Sequence, residues 1–382
     1  MKILEVILSL KDAGAERFVV DLSNEFHLQN HETIVLSFYE IKEEFFLKNE
    51  LNPKIKLQSV NKQLGLDFKI LPKLYKLIRE EKPDIIHTHM LTLNYILLIK
   101  LIIWKLKIVH TVHNDAYKEA SWFVRKLRWG FYKIKFVTPV TISKASKESY
   151  LKAYKIDPPL IDNGTRRIKK SGQFKQVVTI YQEIIDNPDE IILVNIARIT
   201  EQKNQVMLVE VVNELNNSGY NLNLFILGGV RDYEIKMKIE KIKTERIHLL
   251  GSLQNATDYL FIADFFCLSS KWEGMPITLI ESFSSGCIPV CTPVGGINNM
   301  IQHEKNGFIA NSPNKEAYCG ALIQAINVLK YDKKRLKDIK QNCKITFEKY
   351  YSINNCANNY FKLFSSLIYR KSVNNFHARK KD

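Results

Sequence analysis

The sequence contains six cysteines, at 267, 287, 291, 319, 343 and 356, all in its second half and none spaced as C-x-x-C. Neither a zinc site nor a disulfide scaffold is indicated, and the thiols are expected to be reduced packing groups. A long uncharged apolar run is also lacking. The most lipid-like stretch, residues 95–109, is cut by Lys100, Lys105 and Lys107, short of the roughly 18 uncharged residues a spanning helix needs. Its helix near residues 95–104 is expected to pack against a sheet. At the N-terminus Glu5 interrupts the apolar residues before a signal-peptide core of about 7 to 15 residues can form, so a cytoplasmic chain is expected. Internal repeats and low-complexity tracts are missing. Missing too are the aromatic RNA-binding signature, the zinc-finger spacing and the basic-zipper pattern, so specific nucleic-acid binding is not expected. Acidic residues are in deficit, 40 Asp plus Glu against 56 Lys plus Arg, for a formal net charge of +16. Anionic partners follow: phosphates, lipid headgroups or nucleic acid.

What is present is a globular α/β pattern. The chain has 382 residues, 46% of them hydrophobic and 25% charged, enough at roughly 150 residues per domain for two domains or a little more. Short β-branched or aliphatic runs at 3–8, 33–38, 85–89, 108–113 and 137–142 are each followed by a longer amphipathic stretch. After a polar segment at 163–174 a second series begins, at 191–196, 222–227, 247–250, 264–268 and 288–291. Strands alternating with helices predict two parallel sheets with right-handed crossovers, and ligand-binding loops at the carboxyl ends of the strands. His87, His89, His113, Asn114, Ser143, Arg198, Lys203, Gly228, Gly229 and Glu273 all fall there. Residues 350–371 have helical periodicity and lead into a basic tail at 379–382.

The densest chemical signal is residues 269–286, SSKWEGMPITLIESFSSG. Pro276 suits the first turn of a helix and Gly286 its end, which leaves residues 269–275 as a loop whose backbone N–H groups can face a ligand. Glu273 lies in that loop. Glu281 lies a turn or so into the helix and reaches toward a hydroxyl-rich group. The bland reading of a helical glutamate is a solvated side chain. Arg198 and Lys203 precede a helix start, where the macrodipole disfavours cations, and this placement points to an anionic ligand. For His87, His89 and His110 the simpler reading is a hydrogen-bonded structural role.

The spaced pair Glu273 and Glu281 matches the E-x7-E motif of the retaining GT-B glycosyltransferases of family 4, which the sequence resembles over nearly its whole length. Also matching are Ala13-Gly14-Ala15-Glu16-Arg17, Ile85-Ile86-His87-Thr88-His89, His110-Thr111-Val112-His113-Asn114 and Thr141-Ile142-Ser143-Lys144. So are Ile161-Asp162-Asn163-Gly164, Ala197-Arg198-Ile199 with Lys203-Asn204, and Pro293-Val294-Gly295-Gly296. Departures are Ala13 and Ala197 in place of glycines, Gly228-Gly229-Val230 in place of G-x-G, and no acidic residue closely following Gly296.

The resemblance implies two Rossmann-like domains facing across a cleft, with a C-terminal helix returning to the first. The expected divisions are 1–170 for an acceptor domain, 171–355 for a nucleotide-sugar donor domain and 356–382 for the returning helix and tail. It implies that Arg198 and Lys203 hold the donor diphosphate, which gathers negative charge as it departs. Gly14 would let the backbone approach the donor phosphate, and Gly228 would lie on the donor-binding side. Glu281 would bind the ribose hydroxyls, Glu273 with Gly274, Met275, Pro276 and Ile277 would engage the transferred sugar, and His113 would touch that sugar. With two cations at hand and no convincing D-x-D motif, no metal and no cofactor is expected. The donor is a substrate such as a UDP- or GDP-sugar.

The basic residues are concentrated. Between 117 and 135, Trp122, Phe123, Trp129, Phe131 and Tyr132 interleave with Arg125, Lys126, Arg128, Lys133 and Lys135. Two readings stand: a helix lying on an anionic membrane surface, or a core-packed helix with a solvated basic face. The expected activity is sugar transfer to an acceptor, a lipid-linked saccharide of cell-surface polysaccharide synthesis, on the inner face of the cytoplasmic membrane. The alternatives are a sugar-nucleotide epimerase of the same architecture and a basic nucleic-acid-binding protein.

Overall fold

The computed structural model describes residues 1–378 except 12, 13, 43–46, 114, 186 and 188, with side chains described through 369. The chain forms two compact units, residues 1–166 with 352–382, and residues 167–351. The crossing points fall at 166/167 and 351/352, four residues earlier on each pass than the expected 170/171 and 355/356. The reason is local. Thr165 bridges Ser352 in parallel and its carbonyl accepts from the N–H of Ile353 at 2.9 Å, so both passes are tied to the first unit at these residues.

The first unit holds a parallel sheet in the order β3-β2-β1-β4-β5-β6. Its strands are β1 (Lys2–Ile7), β2 (Glu32–Ser37), β3 (Lys56–Ser59), β4 (Ile85–His89), β5 (Ile108–Val112) and β6 (Val137–Thr141). The second unit holds β12-β11-β10-β7-β8-β9, also parallel. Here the strands are β7 (Ile191–Ile196), β8 (Leu222–Leu227), β9 (Ile247–Gly251), β10 (Phe265–Leu268), β11 (Ile288–Cys291) and β12 (Phe308–Ile309). Both sheets follow the Rossmann order, and each reverses direction beside its first strand, at β1/β4 and at β7/β10. Ligand crevices of such sheets open at the carboxyl ends of those two strands.

The ten strands legible in the sequence are the ones with β-branched or aliphatic runs, as expected where helices cover both faces of a parallel sheet. The two that escaped it, β3 and β12, are edge strands. One reads KLQS and the other has two residues, so neither carries a buried-run signal. All five positions of β4 are buried, although its sequence is IIHTH. Two histidines and a threonine inside a sheet require internal partners.

The helix Ile353–Ala378 packs on the first unit. Cys356, Ala357, Tyr360 and Phe364 form its buried face, with Phe364 against Phe26 and His87, and Tyr360 against Phe18. The expected tail at 379–382 lies outside the described residues. All six cysteines are free, five of them buried. Burial pushes the Cys267 thiol up to about 12, so it packs as an inert thiol. Among the described residues no helix is long and apolar enough to cross a membrane.

Candidate functional site

In the second unit three loops at the carboxyl ends of β7, β10 and β11 are stitched together. After β7 comes Arg198, which is exposed and has no ion pair among the described residues. Gly228, after β8, has φ +147°, and a Cβ there would lie 2.1 Å from the Ala197 carbonyl oxygen. Only glycine allows the two loops to meet so closely. Thr200 caps a short turn, Glu201–Lys203, and the helix Gln205–Asn217 follows.

Lys203 points its ammonium at Glu273, with Nζ 2.5 Å from Oε1, and Ser270 Oγ donates to the same oxygen at 2.6 Å. The backbones are fastened as well. Ser269 Oγ donates to the Lys203 and Asn204 carbonyls, the Lys271 N–H donates to Gln202 O at 2.8 Å, and Gln202 Nε2 donates to Trp272 O at 2.9 Å. The loop after β11 closes the other side. Thr292 Oγ1 donates to Ser270 O at 2.7 Å and the Gly296 N–H to Gly274 O at 2.9 Å. Gly295 has φ +53°, and a Cβ on it would sit 1.8 Å from the Glu273 carbonyl oxygen.

From this platform rises the helix Ile277–Ser285, capped at its end by Gly286 with φ +82°. Pro276 stands at the N-cap, one residue before the first turn in which the sequence analysis put it. Gly274, Met275, Pro276 and Ile277 are buried. Glu281 is only 5% exposed, so the bland expectation of a solvated helical glutamate does not hold. A carboxylate kept from water in an apolar helix requires hydrogen-bonding partners. Arg198, Lys203, Glu273 and Glu281 thus lie on the loops and helix flanking the β7/β10 reversal. In the first unit Gly14 begins the helix Gly14–Leu28 and is exposed. Ala13 and Asn114 lie outside the described residues.

The β1/β4 reversal of the first unit holds the second polar constellation. Glu5 is fully buried on β1. Its Oε1 lies 3.0 Å from His87 Nδ1 and its Oε2 2.8 Å from His89 Nε2. His89 Nδ1 lies 2.9 Å from Nε2 of His113, which is half-buried just past β5. On the other arm His87 Nε2 meets Thr111 Oγ1 at 2.7 Å, and Thr111 meets Tyr360 Oη at 2.7 Å. Burial, with the neighbouring His110, pushes His87 well below the usual imidazole value; burial and His87 do the same to His89. His113 is lowered to about 3, by burial first and then by His110 and His87. Burial raises Glu5, against the opposing hydrogen bond and charge of His89.

His110 belongs to a separate triad. Its Nε2 lies 2.9 Å from Glu119 Oε1, which also accepts from Arg128 Nη1 at 3.0 Å. Burial alone would raise Glu119, but these two partners hold it below the usual carboxylate range. His87, His89 and His110 are thus buried and hydrogen-bonded, in line with the structural role expected of them. The group that sequence reasoning missed is Glu5, seen there only as an interruption. A lone carboxylate in an otherwise apolar first strand was the available signal, because such a charge needs a built partner. Glu5, His87 and His89 are the one group among the described residues whose potential metal-ligating atoms all lie within 4.8 Å of one another. The nitrogens facing Glu5 already sit at hydrogen-bond distance, which accounts for them without an ion.

The helix Trp122–Lys133 turns Arg128 and Tyr132 inward. Trp122 is 61% and Phe123 72% exposed, and Leu127 and Trp129 are exposed as well. Lys126 lies over the Trp122 ring at 4.0 Å and Lys133 over Trp129 at 4.7 Å. Tyr132 and Phe131 pack on the core of the first unit, while Trp122, Phe123, Leu127 and Trp129 share the outer face with the lysines, and Arg128 is removed from the basic face. The helix Leu93–Ile102 buries Leu93, Ile96, Leu97 and Ile99, as expected for packing on the sheet, but Leu101, Ile102 and the following Trp104 stand exposed.

Comparison with known proteins gives a consistent picture. The profile described as glycosyl transferases group 1 matches residues 179–345, and that of glycosyltransferase family 4 matches residues 13–166. The UDP-Gal:alpha-D-GlcNAc-diphosphoundecaprenol alpha-1,3-galactosyltransferase of Escherichia coli is 25% identical over 303 residues, 74% of this chain and 76% of its own. An uncharacterized glycosyltransferase of Methanocaldococcus jannaschii is 30% identical over 287 residues, 66% of this chain and 67% of its own. Anabaena HepE, solved in complex with UDP, superposes with a TM-score of 0.79 at 16% identity, over 96% of this chain and 100% of that one.

Proposed function

The chain belongs to the glycosyl transferases group 1 and is a hexosyltransferase, and we propose that it moves a sugar, with retention, from a nucleoside-diphosphate donor to a lipid-linked saccharide. The observation that carries this reading is the Lys203–Glu273 pair at the β7/β10 reversal, with exposed Arg198 on the loop that leads to Lys203 and buried Glu281 on the helix that follows Glu273. Arg198 and Lys203 meet the charge that builds on the departing diphosphate, worth most where water is partly excluded. Glu281 accepts from the ribose hydroxyls, Glu273 and the buried backbone of residues 274–277 hold the transferred sugar, and His113 meets a sugar hydroxyl. Side-chain cations do the work of a divalent ion, so turnover persists in EDTA.

The lipid-linked acceptor is supported by the Escherichia coli relative, whose name specifies a diphosphoundecaprenol substrate. The exposed aromatic and lysine face of the helix Trp122–Lys133 fits contact with an anionic membrane at the site of such a lipid. Incubation of the purified chain with a panel of UDP- and GDP-sugars and an undecaprenyl-diphosphate saccharide should consume one donor and give a glycosylated lipid with the donor's anomeric configuration. Interconversion of free nucleotide sugars without acceptor would instead identify an epimerase, and failure to bind any nucleoside diphosphate would refute the reading. Flotation with anionic liposomes should recover the chain, and reversing the charge of Lys126 and Lys133 should abolish this. Equal flotation of wild type and variant would remove the membrane contact.

A further inference from the structure

With Glu5 ionised, the buried chain at the β1/β4 reversal allows one assignment of protons. A carboxylate only accepts, so Glu5 accepts a hydrogen bond from His87 Nδ1–H at 3.0 Å and one from His89 Nε2–H at 2.8 Å. A neutral imidazole with one nitrogen protonated offers the other as an acceptor. His89 Nδ1 therefore accepts from His113 Nε2 at 2.9 Å, and His87 Nε2 accepts from Thr111 Oγ1, which in turn accepts from Tyr360 Oη. Every bond is then satisfied by one donor and one acceptor, around a single negative charge with no exposure to water.

The outer end of this chain is His113. With its Nε2–H donating to His89, its Nδ1 carries a lone pair, and among the described residues that atom has no hydrogen-bond partner. We propose that Glu5 and His89 are positioning residues that hold His113 as the Nε2-protonated tautomer, so that its Nδ1 accepts a hydrogen bond from a hydroxyl of the sugar substrate. The part concerning the substrate rests on the transferase reading. The chain also fixes the ring plane, because His113 and His89 both stand edge-on to the Phe18 ring. The imidazole itself stays neutral, since burial holds it far below its ordinary value. In this assignment His113 orients a hydroxyl through its Nδ1 lone pair. Were Glu5 protonated toward His89, each bond on this arm would reverse, and His113 would present an Nδ1–H donor where a lone pair is needed.

The test reads the tautomer directly. In the full-length chain labelled with ¹⁵N-histidine, the His113 ring signals, identified by their loss in His113→Gln, should show a protonated Nε2 and a pyridine-type Nδ1. Glu5→Gln and His89→Gln should each disturb that pattern. Each should lower kcat for donor turnover by roughly 10- to 100-fold through loss of orientation, with the KM for donor and the affinity for UDP or GDP within about twofold, since neither residue is assigned to the nucleotide. A protonated Nδ1 in the wild type overturns the proposal. So does a His113 spectrum and kcat unchanged in both variants, and so does a loss confined to KM. His89→Gln keeps the test available if Glu5→Gln fails to fold. Because the spectrum needs no substrate, a wild type that binds no nucleoside diphosphate would sink the transferase reading while leaving the tautomer assignment to be judged separately.

Discussion

Lys203 and Glu273, 70 positions apart, place an ammonium nitrogen 2.5 Å from a carboxylate oxygen, so the groups assigned to the donor's diphosphate and to its adjoining sugar are in direct contact. Their side chains are 14% and 6% exposed, and removing either one leaves the other short of a charge-assisted bond worth about 1.5–3 kcal/mol. Lys203→Ala and Glu273→Gln should each lower donor turnover by roughly 10²-fold, and the double variant should lose less than the sum of the two. Strict additivity in a double-mutant cycle would mean that the pair does not act as a unit.

Glu281→Ala should act on the nucleotide end. Loss of the hydroxyl acceptor is expected to weaken UDP or GDP binding by roughly tenfold, about 1.4 kcal/mol, while circular dichroism remains that of the wild type. Calorimetry that returns wild-type affinity would remove Glu281 from the ribose.

Gly295→Ala forces a methyl group to within 1.8 Å of the Glu273 carbonyl oxygen at φ +53°. The loop bearing Glu273 must move, so the variant should lose more than about 1 kcal/mol of stability together with most of its activity. Gly130→Ala, where a Cβ meets nothing within 4 Å, is the control. Similar melting temperatures for the two variants would contradict this account.

Acid should destabilise the first unit through its buried histidines. His87, His89, His110 and His113 all have lowered values. Below about pH 6.5 the unfolded chain takes up protons that the native state refuses, and stability falls by about 1.4 kcal/mol per pH unit for each. For His113 the window runs from the ordinary 6.5 down to about 3. Glu5, raised by burial, acts with the opposite sign over the range in which it titrates. Melting temperature should therefore drop between pH 7.5 and 5.5, less steeply in His113→Gln than in the wild type. Equal slopes would show that His113 ionises freely in the folded chain.

Tyr360→Phe removes the hydroxyl that the returning helix supplies to Thr111 at 2.7 Å. Thr111 can still donate to His87, so the expected cost is about 1 kcal/mol in a denaturant titration, with turnover nearly unchanged. A large loss of kcat would mean that the chain beyond His87 also governs His113.

Much of the molecule follows from periodicity alone. Ten strands announced themselves because a parallel sheet covered on both faces demands β-branched or aliphatic runs, and residues 269–286 announced a loop, a Pro-led helix and a Gly stop because those residues have few other backbone options. The edge strands Lys56–Ser59 and Phe308–Ile309 did not, since half-solvated or two-residue strands leave no such pattern. The burial of Glu281, the contact of Lys203 with Glu273, and the chain from Glu5 through His89 to His113 were settled only in three dimensions. Each joins residues from different strands or loops, and what decides such a side chain's partner, protonation and exposure is the desolvated space that neighbouring strands enclose, a property that no local stretch of sequence carries.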